Sequence, residues 1–255
     1  MPPVSEILPP GGLAQLAPVA SSAYFLDVDG TLLAIRPRPE DVVADASLLG
    51  LLAGLSDAAG GALALVSGRK IDDIDRIFAP AVFCAAGLHG AEIRFPDGSR
   101  ILAQSGVMDI ARPKLLAFVA RHQGLRLEDK GATLAVHFRQ RPDLGPEVLA
   151  ALMGVARGDV AGDLAVQEGK MVAELKRAGH HKGTAIAALL KAAPHAGRQP
   201  VFIGDDLTDE SGFSFVNALG GISIRIGPAE EPSAARHRLS DPDELRRELR
   251  SLLGG

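Results

Sequence analysis

The strongest constraint on the fold of this chain is a short apolar segment that runs directly into two aspartates, with the sequence FLDVDGTL at residues 25–32. The apolar residues before Asp27 favour a buried strand, and the Gly-Thr pair after Asp29 favours a tight exit from that strand. A buried strand has no ordinary use for unpaired carboxylates, because burial of a charge without a partner is costly. The segment therefore predicts a strand end that binds a divalent cation, for which paired carboxylates are typical ligands.

The two aspartates also suit covalent chemistry at the end of a strand. A carboxylate in the position of Asp27 can attack phosphorus and form an acyl-phosphate. Asp29 follows two residues later and so points to the same face of the strand, where it can protonate a leaving oxygen. The alternative is a strand that ends in an acidic turn without a catalytic role.

Strands and helices alternate along most of the chain, which predicts an α/β fold: a Rossmann-like, doubly wound parallel sheet with helices on both faces. The candidate core strands are residues 23–27, 62–67, 82–86, 201–204 and 221–226. The candidate helices are residues 39–59, 71–78, 182–192, 210–218 and 243–253. Ligands bind such sheets beyond the carboxyl ends of the strands, and Asp27, Ser67 and Asp205 all stand at those ends.

Residues 109–179 interrupt this alternation with an αββαββ pattern. The predicted elements are helices at 113–122 and 146–157 and strand pairs at 125–128 with 133–139 and at 164–168 with 171–176. The segment is long enough to form its own small domain. The sequence therefore predicts a core domain of residues 1–108 and 180–255 and an inserted domain of residues 109–179.

Four segments in chain order resemble the motifs of the haloacid dehalogenase superfamily of phosphotransferases. The first is DVDGT at residues 27–31, and the second is SGR at residues 67–69. The third is KG at residues 182–183, and the fourth is GDDLTDE at residues 204–210. Three of these segments follow candidate strands, so the set is much more specific than any one motif alone.

The resemblance implies a phosphoryl transfer in which each motif has a role. Asp27 would attack phosphorus, and Asp29 would protonate the departing oxygen and then activate water. Ser67, the backbone N–H groups around Gly68, and Lys182 would bind the phosphoryl oxygens. Phosphoryl transfer depends mainly on positioning and on neutralisation of charge, which these residue types supply.

The resemblance also implies Mg²⁺ as the cofactor. Its protein ligands would be the carboxylates of Asp27 and Asp205 and the backbone carbonyl of Asp29. Asp206 and Asp209 would orient the motif lysine or metal-bound water.

Taken singly, several of these residues have simpler explanations. Lys182 is also what a solvated lysine at a helix start looks like, and Ser67 is a good N-cap for a following helix. Asp209 with Glu210 fits the acidic first turn of a helix. These explanations do not account for four segments that imitate one active site.

Further segments are similar to the trehalose-6-phosphate phosphatase family within this superfamily. They are Ile35, Pro37 and Pro39, residues 87–92 (GLHGAE), residues 137–139 (HFR) and residues 172–177 (VAELKR). Family members often have Tyr, Ile and Pro where this chain has Phe138, Leu175 and Arg177, and none of these positions carries the chemistry. The resemblance implies hydrolysis of trehalose 6-phosphate to trehalose and phosphate, the last step of trehalose biosynthesis. It also implies that the inserted domain is a cap that excludes water and selects the substrate.

The resemblance and the residue types together predict the residues that contact the sugar phosphate, in addition to the two motif aspartates. These are Gly68, Arg69, His89, Arg139, Glu174 and Lys176. Glu174 and Lys176 alternate onto one face of a strand, which places an acceptor and a donor for sugar hydroxyls side by side. The alternatives are a solvated ion pair for these two residues and a hydrogen-bonded loop histidine for His89. Arg69 is expected to begin the helix after the second motif and to line the edge of the cleft.

Histidine and cysteine usage argues against a zinc or disulfide framework. Neighbouring side chains at His180 and His181 diverge and no third ligand is suitably spaced, so this pair predicts a polar linker. Cys84 is the single cysteine, which excludes an intramolecular disulfide and fits a packed thiol in a reducing cytoplasm.

Composition narrows the range of partners. The net charge of −4 predicts no nucleic-acid partner. No apolar run reaches the length of a membrane span, and residues 1–18 lack the pattern of a secretory signal, so we expect a cytoplasmic protein with no membrane partner. The expected partner is a small sugar phosphate, with functional coupling to a separate trehalose-6-phosphate synthase.

Other functions remain open at this level. A different sugar phosphatase of the superfamily would act on sucrose phosphate or on mannosyl-phosphoglycerate. A phosphomutase would require a bisphosphate and a phosphoenzyme that resists water. A non-catalytic sugar-phosphate-binding module is disfavoured, because such a module should have lost Asp27 or Asp29.

Overall fold

The computed structural model describes residues 5–36, 41–103, 106–158, 162–169, 171–228 and 232–254. Pro37 and Pro39 of the family resemblance, together with the start of the helix expected at 39–59, lie outside the described residues. The chain divides into two compact units, which we call the core unit (Met1–Ile101 with His181–Gly255) and the cap unit (Leu102–His180). The domain bounds expected from sequence, 1–108 with 180–255 and 109–179, stay a prediction, because a division into compact units does not show that either part folds independently.

Strands and helices mostly alternate along the core unit, whereas the cap unit repeats one helix followed by two strands. The strands are β1 (Glu6–Ile7), β2 (Ser22–Leu26), β3 (Leu63–Val66), β4 (Cys84–Gly87), β5 (Glu92–Arg94), β6 (Arg100–Leu102), β7 (Arg126–Asp129), β8 (Thr133–His137), β9 (Leu164–Gly169), β10 (Val172–Arg177), β11 (Gln199–Gly204), β12 (Ile222–Ile226) and β13 (His237–Leu239). The helices are α1 (Gly12–Leu16), α2 (Ala46–Ala58), α3 (Ile71–Phe78), α4 (Gly106–Val119), α5 (Gly145–Arg157), α6 (Lys182–Leu189), α7 (Glu210–Ala218) and α8 (Pro242–Ser251). Short 3₁₀ turns lie at Val19–Ser21, Leu88–Gly90, Pro142–Leu144 and Leu207–Asp209.

One nine-stranded sheet forms the core unit, with the order β1-β13-β12-β11-β2-β3-β4-β5-β6. In this order, every pair of neighbouring strands is parallel from β1 through β13, β12, β11, β2 and β3 to β4. Strand β5 pairs with β4 in the antiparallel sense. A parallel sheet covered on both faces needs continuously apolar strands, and residues 23–26 of β2 are 0 % exposed. Packing joins α1 and α2 to α8, and joins α6 to α7. The predicted α/β fold with a parallel-sheet core and an inserted α/β unit is confirmed.

The order of the strands in the sheet reverses beside β2. The next strands along the chain, β3 and β4, lie on one side of β2, whereas β11, β12 and β13 lie on the other. Such a reversal opens a crevice beyond the carboxyl ends of the two strands that flank it. Because β2 ends at Leu26 and β11 ends at Gly204, Asp27 and Asp205 emerge side by side at this crevice.

The first long helix begins later than the sequence suggests. The expected helix at 39–59 is observed as α2 from Ala46 to Ala58. Asp45 is its N-cap and accepts a hydrogen bond from the Leu48 amide at 2.8 Å, which ends the preceding extended segment. Leucines at positions 48, 51, 52 and 55 are buried at helical spacing and anchor α2 to the sheet.

The cap unit packs two helices on one face of a four-stranded antiparallel sheet with the order β7-β8-β10-β9. Its apolar core contains Met108, Ala111, Leu115, Leu134, Val136, Val148, Leu152, Leu164, Ala173 and Leu175. The helix expected at 113–122 begins earlier, at Gly106, and Pro113 lies inside it. The earlier start buries Met108 and Ala111, which explains why this helix continues through a residue that normally marks a first turn.

No helix of the described residues is long and apolar enough to cross a membrane.

Candidate active site

Asp27 lies at the carboxyl end of the central strand and is 4 % exposed. Its amide donates to the Ile203 carbonyl at 2.9 Å, which continues the β2–β11 pairing by one residue and fixes the backbone at the crevice. The Thr31 hydroxyl lies 3.2 Å from both the Asp27 and the Asp205 carboxylates. Gly30 has a φ of 83°, and a Cβ there would clash with the Asp205 carboxylate. The glycine of the first motif therefore lets two acidic strand ends approach each other.

Lys182 connects the third motif to the first and the fourth. Its Nζ donates to Asp27 Oδ1 at 2.6 Å and to Asp209 Oδ1 at 2.6 Å, and its side chain is 3 % exposed. Burial disfavours the ammonium, but the carboxylates of Asp209 and Asp27 outweigh burial and raise the pKa of Lys182 above its ordinary value. The alternative of a solvated lysine at a helix start is therefore wrong, although Lys182 is indeed the first residue of α6.

Asp209 holds the fourth motif together. Its Oδ1 accepts from Lys182, and its Oδ2 accepts from the amides of Asp205 and Asp206 at 3.0 Å each. A side chain at Gly204 would clash with this carboxylate, so the glycine of the motif is required for the close approach. With both oxygens engaged, Asp209 positions Lys182 and the Asp205 backbone. The exposed Asp206 caps the turn at Leu207–Asp209 by accepting from the Leu207 amide at 2.7 Å.

The carboxylates of this cluster carry more negative charge than Lys182 balances. Oxygen atoms of Asp27, Asp205 and Asp209 all lie within 4.8 Å of one another. Burial raises the pKa of Asp205 to about 7, and the Asp209 carboxylate adds to the effect. Burial also raises the pKa of Asp27 well above its usual range, against the opposing effect of the Lys182 ammonium. A site with hard oxygen donors and surplus negative charge fits a divalent cation such as Mg²⁺.

The second motif brings an arginine to Asp29. Nε and Nη2 of Arg69 each donate to one oxygen of Asp29 at 2.6 Å, a two-pronged ion pair between residues 40 positions apart. Arg69 was expected to begin a helix, but α3 starts at Ile71, so that Arg69 lies in the loop and is free to turn towards the first motif. Ser67 is 1 % exposed, and its Oγ accepts from the Arg69 amide at 3.1 Å. Ser67 is thus a loop residue, and its alternative role as the helix N-cap is wrong because Lys70 occupies that position.

A strained turn after β4 supports the loop of the second motif. Leu88 and His89 adopt left-handed backbone conformations, with φ values of 48° and 55°. Each costs on the order of 1 kcal/mol or more for a residue other than glycine. The Leu88 amide donates to the Arg69 carbonyl at 2.9 Å, and the His89 amide donates to the Ser67 carbonyl at 3.0 Å. His89 is 6 % exposed, and its ring lies so close to Gly68 that a Cβ there would be 2.7 Å from Nε2. The structure thus places His89 against the backbone of the second-motif loop.

Polar side chains cover the face of the cap sheet opposite its helices. Register places Glu174 opposite Ala135 and Gln167, and Lys176 opposite Thr133, so Glu174 and Lys176 share one face. Glu174 accepts from Thr133 Oγ1 at 2.5 Å and lies 3.4 Å from Lys130 Nζ. Lys176 donates to the Gln167 side chain. Glu174 is 7 % exposed and Lys176 is 8 % exposed, so they are not the solvated surface charges of the alternative interpretation.

Arg139 lies elsewhere in the cap unit, exposed in the turn that follows β8. The structure does not place it on the strand positions that carry Glu174 and Lys176. Residues that sequence reasoning missed lie on or beside that face: Lys130 and Thr133 contact Glu174, and Glu128 accepts from the ring of His137 at 2.8 Å. Alternation along the two hairpins was the available signal, since β7 pairs with β8 and β9 pairs with β10 in registers that short turns constrain.

Comparison with known proteins agrees with this geometry. The sequence profile of the trehalose-phosphatase family matches residues 25–243. The chain is 47 % identical over 226 residues to a "probable trehalose-phosphate phosphatase" of Sinorhizobium fredii, covering 88 % of this chain and 84 % of the relative. It is 43 % identical over 211 residues to the "trehalose-6-phosphate phosphatase" of Escherichia coli, covering 82 % of this chain and 78 % of the relative.

Solved structures show the same fold. A crystal structure of a "trehalose-6-phosphate phosphatase related protein" superposes with a TM-score of 0.74 at 29 % identity, covering 92 % of this chain and 97 % of that one. The C-terminal domain of Candida albicans trehalose-6-phosphate phosphatase superposes with a TM-score of 0.79 at 20 % identity, covering 92 % and 93 %. The second likeness shows the fold alone. With its motifs gathered at one crevice and its family profile matched over most of its length, the chain belongs to the trehalose-phosphatase family.

Proposed function

We propose that this chain is a Mg²⁺-dependent phosphomonoesterase that hydrolyses trehalose 6-phosphate to trehalose and phosphate through an aspartyl-phosphate on Asp27. The observation that carries the proposal is the buried cluster in which Lys182 joins Asp27 to Asp209 while Asp205 lies alongside. A structural ion pair would balance its charges, whereas this cluster leaves a carboxylate surplus beside a strand end. The family match supplies the class of substrate.

The first chemical step is attack by Asp27 on phosphorus. One carboxylate oxygen forms a bond to phosphorus as the bond to the sugar oxygen breaks, and Asp29 gives that oxygen its proton. Lys182 and Ser67 hold the phosphoryl oxygens, because a buried ammonium and a loop hydroxyl donate where negative charge develops. The products are free trehalose and a phosphorylated Asp27.

The second step returns the enzyme to its starting state. Asp29, now a carboxylate, takes a proton from a water molecule whose oxygen attacks phosphorus, and phosphate leaves as the Asp27 carboxylate is restored. Both steps need Asp29 in one place. The two-pronged contact with Arg69 orients the Asp29 carboxylate as the base of the second step, because a planar guanidinium fixes a carboxylate in orientation as well as in distance. In the first step Asp29 carries the proton, and one arm of this contact opens to make room for it.

The carboxylates of Asp27 and Asp205 and the backbone carbonyl of Asp29 would hold Mg²⁺. Asp209 is not included, because Lys182 and two amides engage its oxygens. When bound, the metal ion supplies charge that screens the repulsion between the carboxylates and the anionic phosphate ester.

In the cap unit, Glu174 and Lys176 bind sugar hydroxyls on the polar face of the sheet, and the cap acts in substrate selection. His89, Gly68 and Arg139 are proposed to complete the contacts to substrate. A relative from Thermoproteus tenax named "bifunctional trehalose-6-phosphate synthase/phosphatase" is 32 % identical, and the match covers 31 % of its length. This fusion supports functional coupling of the present chain to a separate synthase. Location in the cytoplasm stays a prediction from the sequence.

The experiment that tests this function is phosphate release from a panel of trehalose 6-phosphate, sucrose 6-phosphate and mannosyl-phosphoglycerate, with Mg²⁺ and after chelation with EDTA. We expect trehalose 6-phosphate to be preferred, activity to vanish with EDTA and Mg²⁺ to restore it. Preference for another sugar phosphate would reassign the substrate, and full activity after exhaustive chelation would refute the role of the metal. A requirement for a bisphosphate would indicate a phosphomutase.

A further inference from the structure

The helix that carries Lys182 begins with an unusual cap. His181 is the N-cap of α6, and its ring Nδ1 accepts the Thr184 amide at 3.2 Å. In return, Thr184 Oγ1 accepts from the His181 amide at 3.1 Å, which completes a capping box. The sequence prediction of a polar linker at His180 and His181 was therefore wrong for His181, whose side chain closes the first turn of the helix.

This first turn is packed closely on its neighbours. A Cβ at Gly183 would lie 2.5 Å from the Ser211 carbonyl and 3.1 Å from Nδ1 of His181. The His181 carbonyl accepts from the Ala185 amide at 3.1 Å, and Lys182 follows at once with both of its carboxylate partners. A shift of the cap is thus transmitted directly to the backbone that positions the Lys182 ammonium.

An imidazole cap depends on protonation in a way that the common caps do not. Serine, threonine and asparagine oxygens accept hydrogen bonds at any physiological pH, whereas Nδ1 accepts only while it carries no proton. Protonation would place an N–H against the Thr184 amide. It would also add positive charge at the positive end of a helix, beside the Lys182 ammonium. Imidazole is the side chain whose unperturbed pKa lies between about pH 5 and 8, so histidine is the residue type suited to such a change.

Three titratable groups of the described residues lie on the elements that pack most extensively against α6. The elements packed on α6 are α7, β3 and the 3₁₀ turns at Leu88–Gly90 and Leu207–Asp209. Of these, β3 has no charged residue, and the turns contribute His89 and Asp209. Helix α7 contributes Glu210, which accepts from Ser233 Oγ at 2.6 Å and from the Ala234 amide at 2.7 Å. Asp209 holds Lys182, so both nearby carboxylates already have partners.

We propose that His181 is a proton-sensitive positioning residue, whose neutral imidazole caps α6 and holds Lys182 in register and whose protonation loosens that turn and lowers turnover at acidic pH. The inference rests on the proposed function, because it acts through the lysine that binds the phosphoryl group. His181 itself touches no reacting atom.

The test compares pH profiles of kcat/KM for trehalose 6-phosphate in wild type, His181→Asn, His181→Ala and His180→Asn, at saturating Mg²⁺. Asparagine keeps a cap oxygen that does not titrate, so His181→Asn should match wild type within about twofold near pH 8. Near pH 5.5 wild type should have lost about threefold to tenfold more activity than His181→Asn. His181→Ala should be impaired at every pH, and His180→Asn should keep the wild-type profile.

Superimposable acid limbs in wild type and His181→Asn would overturn the proposal, as would a change of the acid limb in His180→Asn instead. The unfolding midpoints of wild type and His181→Asn, measured over the same pH range, provide a readout that needs no substrate. We expect the two midpoints to diverge as the pH falls, with wild type the less stable. If no variant releases phosphate from any ester, the proposed function fails, and the unfolding comparison alone decides whether the cap responds to protons.

Discussion

The carboxylate cluster of the core unit and the polar face of the cap sheet each bury a lysine, but they satisfy it with different partners. In the core unit Lys182 lies 2.6 Å from two carboxylates, and hydrogen bonds to charged groups are strong and fixed in position. In the cap unit Lys176 donates to the neutral amide of Gln167, whereas Glu174 accepts from the hydroxyl of Thr133 and lies at the longer distance of 3.4 Å from Lys130 Nζ. Neutral partners exchange readily for sugar hydroxyls. The difference agrees with the proposal that the core cluster supplies fixed electrostatics and the cap face binds the sugar.

The largest expected effect tests whether turnover depends on the charge of Asp27 in the core cluster. Asp27→Asn keeps the shape of the side chain and removes the nucleophile, so turnover should fall by several orders of magnitude on every substrate. Phosphate release and circular dichroism measure activity and folding in parallel. A folded variant with near-normal turnover would remove the basis for the covalent mechanism.

The next largest effect should appear in cap variants and only on a substrate that contains the sugar. Glu174→Gln or Lys176→Ala should lower kcat/KM for trehalose 6-phosphate by roughly tenfold to a thousandfold, because a substrate-positioning contact is lost. Hydrolysis of p-nitrophenyl phosphate should change little, since this ester has no sugar to bind.

The exposed Glu168 on β9 is the matched control, and Glu168→Gln should leave both substrates unaffected. Equal losses on both substrates in the Glu174 and Lys176 variants would assign these residues to folding of the cap unit. No loss on either would remove them from the site.

A smaller loss of turnover is expected from a change in the Arg69–Asp29 contact of the core unit, where geometry matters more than charge. Arg69→Lys retains the positive charge and loses the planar fork that holds Asp29. We expect kcat to fall by about tenfold on both trehalose 6-phosphate and p-nitrophenyl phosphate, because the second step is common to them. A loss confined to the sugar substrate would place Arg69 in sugar binding instead.

The smallest expected effect concerns a buried group that lacks the charged partners of Lys182. His195 is fully buried and stacks on the ring of Phe25 at 5.4 Å, and burial lowers its pKa to about 4. Its pKa in the unfolded chain is near 6.5, so the unfolded state takes up the proton first as the pH falls. The stabilisation from neutral His195 is present above about pH 6.5 and is lost between there and about pH 4.

Urea unfolding of wild type and His195→Gln at several pH values measures this linkage. The wild-type midpoint should fall more steeply with acidification than that of the variant. Asp27 and Asp205, whose pKa values are raised, act in the opposite direction in both proteins and cancel in the comparison. Parallel slopes would show that His195 does not titrate in this range.

The sequence alone was sufficient to place the first, second and fourth motifs at strand ends. Apolar runs before Asp27, Ser67 and Asp205 predict parallel strands, and the carboxyl ends of such strands meet at one edge. The αββαββ insertion could be predicted for a similar reason, because the alternation of apolar and polar residues and the presence of turn residues are local signals. The roles proposed for Asp27 and Lys182 came from residue type together with the resemblance of the four motifs to the haloacid dehalogenase superfamily.

Only the tertiary structure decided which of these side chains contact one another. Arg69 meets Asp29 because its loop delays α3 to Ile71, and Asp209 binds Lys182 because Gly204 permits its approach. The helix start at Ala46, later than the expected residue 39, depended on the cap at Asp45. Hydrogen bonds of this kind join residues through distances and angles that sequence spacing does not encode, whereas the periodicity that predicts strands and helices is written in the order of the residues themselves.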